Sequence, residues 1–569
     1  MLERDSPAQS EISRDRRLFA ERAARSVSEI QGNLSSVTDI IVFLEVLGYD
    51  ETLVSKYGFA DLTDFARYVF DFLDFVSAPA QPDQTLETKS KKVRRSAARL
   101  LEALALAFPM LAMLAVLFIF GVSLWMARIL PIETTTAFLS GVFLGILISE
   151  GPVEAFSRLF SFYYSQNNLG EVKRVVRRND YFVGVALLIA IAVLIAMSIV
   201  GGLPIILIFI TIFSSVTIAA HRSSYLVIFA LKRLGQMIAA YTAALAALVI
   251  IFLYAPSEGI AKVAALVPVN VINGVSSVAG IELVLRYFLA LIVAFAILSV
   301  PALYYRAKIM NSKSTAQIKT PPPFYSPFSV GDRTVKSRLG VQLWETLPYF
   351  IFGTFFFLMI FADRIISWIF NPFVADYSGL PLEFNAVYHT GADPALIILL
   401  GVTIVSYVIL APIYEELGES SARMTIARAD SVNGILQRAY ARLLIAAAIT
   451  SIVVAFLINY EGVEIMHFLR GTLVSLQILR IASIGDIFIS IFFINAMFLT
   501  LVNKIKVPAI ISVICTMIVV FVGMFLGFAG FQYIIWAYLL SSLIAMISST
   551  VYCIRIRHNL SNLFLGRFV

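Results

Sequence analysis

The sequence predicts an all-α polytopic membrane protein: about twelve transmembrane helices in two six-helix pseudo-repeat bundles, with a small N-terminal cytoplasmic helical domain. Three observations carry that prediction. Hydrophobic residues make up 59% of the 569 and charged residues only 14%, whereas a soluble domain carries roughly a quarter charged. The apolar residues fall in repeated runs of a length that crosses a bilayer, about 20 residues as helix. Basic residues recur in alternate loops between those runs.

Residues 1–88 stand apart from this pattern. They hold sixteen acidic against eight basic side chains. Val27, Ile30, Leu34, Val37, Ile41 and Leu44 recur at helical spacing, and Asp61 is placed to cap a second helix carrying Leu62, Phe65, Val69, Phe72 and Leu73. So short a segment buries little core, which suits a head that docks a partner; a plain solubilising cap is the other reading. No cleavable signal peptide is expected, because Met1 to Arg25 is charged and lacks an apolar centre. Pro79 to Thr85 reads as a linker, and residues 89–103 as a basic stretch that meets the membrane.

The first bundle is expected over 104–305, with spans at Leu104–Met126, Ala137–Phe160, Tyr181–Ile199, Pro204–Val227, Met237–Tyr254 and Ile281–Tyr304. Ala264–Ile281 reads as an extra half-buried or interfacial helix. A basic linker, 306–346, leads to a second bundle over 347–569. Its spans are Leu347–Phe370, Pro394–Leu410, Leu443–Ile458, Leu473–Val502, Pro508–Ala529 and Phe531–Ile554. A basic amphipathic segment precedes the third span of each half, before Tyr181 and before Leu443, and this is the mark of a repeat. Arg174, Arg177, Arg222, Lys232, Arg306, Lys308, Arg438, Arg442, Lys504, Arg555 and others fall in loops on one side. Asp376, Glu383, Glu461 and Glu464 fall on the opposite side. Both termini are therefore expected in the cytoplasm.

Chemistry-bearing motifs are few. The sequence contains no P-loop, no Asp-x-Asp, no nucleophile elbow and no metal-spaced His/Cys set; His221, His389, His467 and His558 are scattered. Cys515 and Cys553 both lie in apolar spans and read as small core residues. Neither an enzyme nor a cofactor is expected, and nothing points to nucleic acid. What remains is charge inside the membrane, which is costly and often marks a path for substrate or ions. Asp363 and Arg364 interrupt the seventh span; as neighbours they point to different sides of a helix, so each is expected to need another partner. Arg286, Arg480 and Asp486 fall at similar outer depth in the sixth and tenth spans. Glu150 lies mid-span beside Gly151-Pro152, and Asn270 and Asn273 add polar groups. Two readings stand: these groups line an aqueous path between bundles, or they pair and snorkel only to hold the helices.

Some stretches resemble a known family. LPYFIFGTFFFLMIFADRIISW (347–368), Asn371-Pro372 and LPLEFNAVYHTGADPALIILLGV (380–402) resemble the PelG-like family of Pel-type exopolysaccharide exporters. SFYYSQNNLGEVKRVVRR (161–178) is similar to the wider multidrug/oligosaccharidyl-lipid/polysaccharide (MOP) flippase superfamily. The resemblance covers roughly residues 100–569. It implies an inner-membrane exporter of a growing polysaccharide, working among membrane lipids beside a cytoplasmic glycosyltransferase and other membrane subunits of a synthase. The acidic head departs from such exporters, which begin near the first span. A cation-coupled antiporter of lipid-linked oligosaccharide or small molecules is the alternative, and a non-transporting membrane scaffold the second.

Overall fold

The computed structural model describes residues 16–24, 26–27, 37–47, 49–76, 89–127, 130–165, 168–201, 204–254, 278–312, 339–372, 382–421, 429–557 and 560. Among them every regular element is helical, apart from one isolated pairing of Val122 with Ala127. Contacts divide the chain into two compact units. One comprises Met1–Ala97, Ala316–Ser337 and Ala411–Leu436; the other comprises Ala98–Thr315, Arg338–Leu410 and Gln437–Val569.

In the first unit, residues 16–24 pack with α1 (Val37–Val46), α2 (Glu51–Lys56) and α3 (Leu62–Val76). Their core is Ala20, Ala23, Ile40, Leu44, Phe65 and Val69, with Phe19 stacked on Tyr57 at 3.8 Å. Arg16 lies over Phe59 and pairs with Asp64 at 3.2 Å. The two helix starts follow from their caps. The Asp50 carboxylate accepts from the Leu53 amide at 2.8 Å, which holds that carboxyl below its usual range, and Asp61 accepts from the Asp64 amide at 2.6 Å. The expected cap at Asp61 is thus present, whereas Ile30 and Leu34 lie outside the described residues.

Among the described residues, twelve helices are long and apolar enough to cross a membrane. In chain order these begin with α4 (Lys89–Phe120), α5 (Ile132–Ser165), α6 (Leu169–Gly201), α7 (Ile205–Ala230), α8 (Leu234–Tyr254) and α9 (Val278–Asn311). The second half opens with α10 (Leu339–Ile369). Its second span is interrupted: α11 (Ala386–Ala392) runs through a 3₁₀ turn, Asp393–Leu396, into α12 (Ile397–Ser421). Then come α13 (Ala429–Tyr460), the short α14 (Gly462–Leu469), α15 (Leu473–Leu501), α16 (Lys506–Gly527) and α17 (Ile535–Ile556).

Several boundaries differ from the sequence reading. The basic stretch at 89–103 is the opening of α4, not a linker between elements. That helix stops at Phe120, short of Met126, because Gly121 takes φ +73° and turns the chain. Of the basic amphipathic segments, Leu169–Asp180 and Ala429–Arg442 open α6 and α13, continuous with their spans, whereas Ser157–Ser165 ends α5 and 422–428 lie outside the described residues. Most of Ala264–Ile281 lies outside the described residues; its last four residues open α9. Cys515 and Cys553 are buried and free.

The repeat is visible in bonds. In the first half the Thr211 hydroxyl on α7 donates to the Ala137 carbonyl on α5 at 3.0 Å. In the second, the Ser475 hydroxyl on α15 donates to the Val387 carbonyl on α11 at 2.8 Å. Four residues past each carbonyl stands a glycine, Gly141 and Gly391, with no room for a side chain. A Cβ on Gly141 would run into Ser214, and one on Gly391 would lie 2.8 Å from the Ile478 Cβ. Small residues let backbones approach, and where water is scarce a hydroxyl-to-carbonyl bond then locks the pair. The same clasp joins the second span to the fourth in both bundles.

Candidate functional site: a buried charge network beside the inter-bundle seam

Asp363 and Arg364 occupy the last two turns of α10, and both are fully buried. Contrary to the expectation from their adjacency, they do pair. The arginine side chain is long and leans toward its helix N-terminus, so its Nη1 reaches Asp363 Oδ1 at 3.0 Å and the Ile360 carbonyl at 2.7 Å. Its Nε donates to Asp393 Oδ1 at 2.8 Å and its Nη2 to the Ala392 carbonyl at 3.0 Å. Both of those partners sit at the break between α11 and α12. Pro394 has no amide hydrogen and the helix tightens to a 3₁₀ turn there; the guanidinium adds its own bond to the Ala392 carbonyl at that break.

The rest of the network extends from this centre. The Tyr388 hydroxyl donates to Asp363 Oδ2 at 2.7 Å. The Trp368 indole donates to His389 Nε2 at 2.9 Å, so Nε2 is the acceptor. A neutral ring then carries its proton on Nδ1, which faces Asp393 Oδ2 at 2.9 Å. Asn385 caps α11 through the Tyr388 amide at 3.0 Å and ties it back to the Ser367 carbonyl at 3.3 Å. On α15, Asp486 accepts from the Tyr538 hydroxyl of α17, whose ring lies 5.9 Å from the Arg364 guanidinium. The other Asp486 oxygen and the Ser490 hydroxyl, one turn along α15, are buried without hydrogen-bond partners. Most of this is sealed, but the Asp393 side chain is 37% exposed and opens the network to solvent.

The network borders the seam between the halves. The Phe384 amide donates to Thr136 of α5 at 2.8 Å, and Leu139, Trp368 and Phe384 form one buried cluster. Along the same seam Phe143 of α5 meets Phe357, Phe361 and Trp368 of α10, with centroids 5.4 to 6.2 Å apart.

Of the residues singled out in the sequence, the structure brings together Asp363, Arg364 and Asp486. Arg286 pairs instead with Glu282, one turn back on α9. Arg480 is exposed on α15, in a shallow pocket of about 310 Å³ with Gln477, Gln532 and Trp536. Glu150 pairs instead with Arg222 of α7, both in the first half and both part-exposed. Asn270 and Asn273 lie outside the described residues. Sequence reasoning missed Asp393, Tyr388, His389, Trp368 and Tyr538. The signal for the first three was the polar spacing Tyr388-His389…Asp393-Pro394 at the head of an apolar run. Among the described residues no three His, Cys, Asp or Glu side chains gather closely enough to hold a metal ion.

No protein-family model and no curated protein matches the sequence. Solved structures do. A MATE protein in complex with MaD3S aligns with 82% of this chain and 97% of its own, at 12% identity and a TM-score of 0.50. This chain has the MATE fold. A Vibrio cholerae MATE transporter, a variant of VcmN, aligns with 82% of this chain and 97% of its own at 14% identity and 0.49. A MOP superfamily transporter from Pyrococcus furiosus aligns with 81% and 96% at 11% identity and 0.47. The likeness accounts for the twelve spans and the paired bundles.

Proposed function

We propose that this chain is a transporter that exports or flips a polysaccharide across the inner membrane, in the manner of the PelG-like exporters it resembles, with both termini in the cytoplasm. One observation carries the reading: a carboxylate–guanidinium–carboxylate relay, sealed at Asp363 and Arg364, lies against the seam where the halves meet and reaches solvent at Asp393. A glycan is hydroxyl-rich and hydrated, so its path needs donors and acceptors that can be offered and withdrawn. Asp363, Arg364 and Asp393 satisfy one another while the seam is closed, and present themselves to sugar hydroxyls when it parts. The Phe143, Phe357 and Phe361 rings supply apolar faces on which pyranose rings rest. A glycosyltransferase supplies the polymer from the cytoplasm, other synthase subunits flank the bundles, and the acidic head docks one of these partners.

The test compares Asp363→Asn, Arg364→Gln and the double variant, with membrane level and secreted glycan measured in each. Variants at normal level that secrete normal glycan remove the reading. Reporter fusions at Thr88 and Val569 check the orientation; a periplasmic signal from either overturns it. A second reading has its own observation: the unpartnered Asp486 oxygen suits a bound cation, and so a cation-coupled antiporter of the same fold. Sodium- or proton-dependent efflux of small cations, lost in Asp486→Asn, would favour it.

A further inference from the structure

Two of the three arginines flagged inside the spans already hold carboxylates: Arg364 meets Asp363 and Asp393, and Arg286 meets Glu282. Arg480 does not. It is exposed on α15, seven residues past the start of the helix or about 10 Å along it, and among the described residues it makes no hydrogen bond or ion pair. The hollow of about 310 Å³ that it lines also takes in Gln477 and Ile481 of α15, Gln532 and Tyr533 of the 3₁₀ turn Phe531–Tyr533, and Trp536 in the first turn of α17. The amides of Gln477 and Gln532 are likewise without a bond to any described residue. Three donor side chains therefore line one hollow, and no acidic side chain lines it to receive them. The nearest carboxylate along α15, Asp486, is buried and accepts from Tyr538 instead.

What lies below the hollow points to the ligand. Four residues on from Arg480 is Ile484, and four on from Trp536 is Leu540, with Ile547 beyond it; all three are exposed and apolar. On membrane spans such a face meets acyl chains, and this one runs from the hollow toward the middle of both helices. Tyr533 and Trp536 are also exposed, with rings of the kind that settle at the depth of lipid headgroups. The hollow thus opens at the headgroup end of an acyl-chain lane, at the ends of α15 and α17 away from Lys504, Lys506 and Arg555. A lone guanidinium on a lipid-facing surface is costly until it reaches water or a counter-ion. Its planar fork takes a phosphate through two parallel bonds. With no carboxylate at hand, the hollow has nothing to hold the ammonium of a zwitterionic headgroup. The chemistry selected is a phosphate ester of net negative charge that carries a hydrocarbon tail.

We propose that Arg480, with Gln477, Gln532 and Trp536, binds the headgroup phosphate of an anionic phospholipid in the groove between α15 and α17. The site is independent of what the protein transports. The same two helices carry Asp486 and Tyr538, so a lipid that clasps their ends steadies one bond of the buried network. Native mass spectrometry of the full-length protein, released from nanodiscs of phosphatidylglycerol and phosphatidylcholine with matched chains, tests the binding. Wild type should keep phosphatidylglycerol in preference to phosphatidylcholine. Arg480→Gln should weaken that retention about tenfold, as loss of a charge-assisted bond predicts. Arg555→Gln removes the same charge at the other end of α17 and should keep it. Arg480 is exposed, and a normal elution profile establishes that its variant folds. In a second arm, delipidated protein is heated with phosphatidylglycerol or with inorganic phosphate; the lipid should raise the thermal midpoint of wild type and not of Arg480→Gln. An equal rise with inorganic phosphate assigns the hollow to a soluble anion and overturns the lipid. Equal retention of the two lipids overturns it as well, and so does folded Arg480→Gln that holds phosphatidylglycerol as wild type does.

Discussion

The two halves of the membrane unit share a scaffold and differ in where they keep their charge. The first half places Asp180 against Arg306 near the end of α9, and Glu150 against Arg222 at the middle of α5, each pair a quarter or more exposed. The second half buries Asp363 and Arg364 completely at the opposite end, where α10 finishes and α11 begins. A wet ion pair is worth little to stability, whereas a sealed one cannot lose a member cheaply. The comparison teaches that the repeat was kept in backbone packing and abandoned in chemistry. One half carries pairs that water can separate, and the other a network that holds unless the seam opens.

Breaking the sealed network should have the largest effect. Arg364→Leu leaves Asp363 and Asp393 without their cation and should cost about 3–5 kcal/mol, read as a fall in the thermal midpoint of detergent-solubilised protein. Arg306→Gln, at the wet end, should cost no more than about 1 kcal/mol in the same assay; equal losses would erase the contrast. Next come the clasps. Gly141→Ala and Gly391→Ala should each destabilise by about 1–3 kcal/mol through forced separation of packed helices. A neutral result for one of them would mean the halves are not equivalent even in packing. Trp368→Phe keeps the ring but leaves His389 Nε2 without its donor, at a cost of about 1 kcal/mol, and should also free the imidazole to change tautomer, visible in its nitrogen chemical shifts. The smallest effect belongs to the head. The Leu53 amide and Thr52 hydroxyl hold the Asp50 carboxyl below its unfolded value, so its support for α2 is complete above that value and fades as pH falls through the folded one. Amide exchange at Leu53 should speed up in acid, and Asp50→Ala should be fast at every pH; a pH-independent wild type would show the cap to be idle.

Much of the scaffold was legible because its causes are local. Runs of apolar residues dictate spans, and Gly201, Pro204 and Gly121 punctuate them. The site was harder to read for a physical reason. Asp363, Arg364 and Asp486 could be flagged because charge inside a span is conspicuous. Which of the flagged charges meet was not legible, because that depends on helix rotation and on the break at Pro394. Arg286 and Arg480 had the right depth and the wrong face. Adjacency misled over Asp363 and Arg364, since periodicity describes where a side chain starts and not where a guanidinium five bonds away ends.

The hydroxyl–glycine clasps also set a mechanical scale. α5 has 34 residues, so it is a rod about 50 Å long, and Thr211 and Gly141 fix it near its beginning. A rod held near one end works as a lever. A tilt of about 5° at the clasp carries the far end, about 36 Å away, through about 3 Å, roughly the width of a water molecule. The held end need barely stir, so its tight packing survives each excursion. Because α11 and α15 are fastened in the same way, the second half has the same fulcrum at the same end of its own spans. Two levers pivoting at one end scissor at the other, and the gap they make there is bounded by the length of the helices and not by the strength of any single bond.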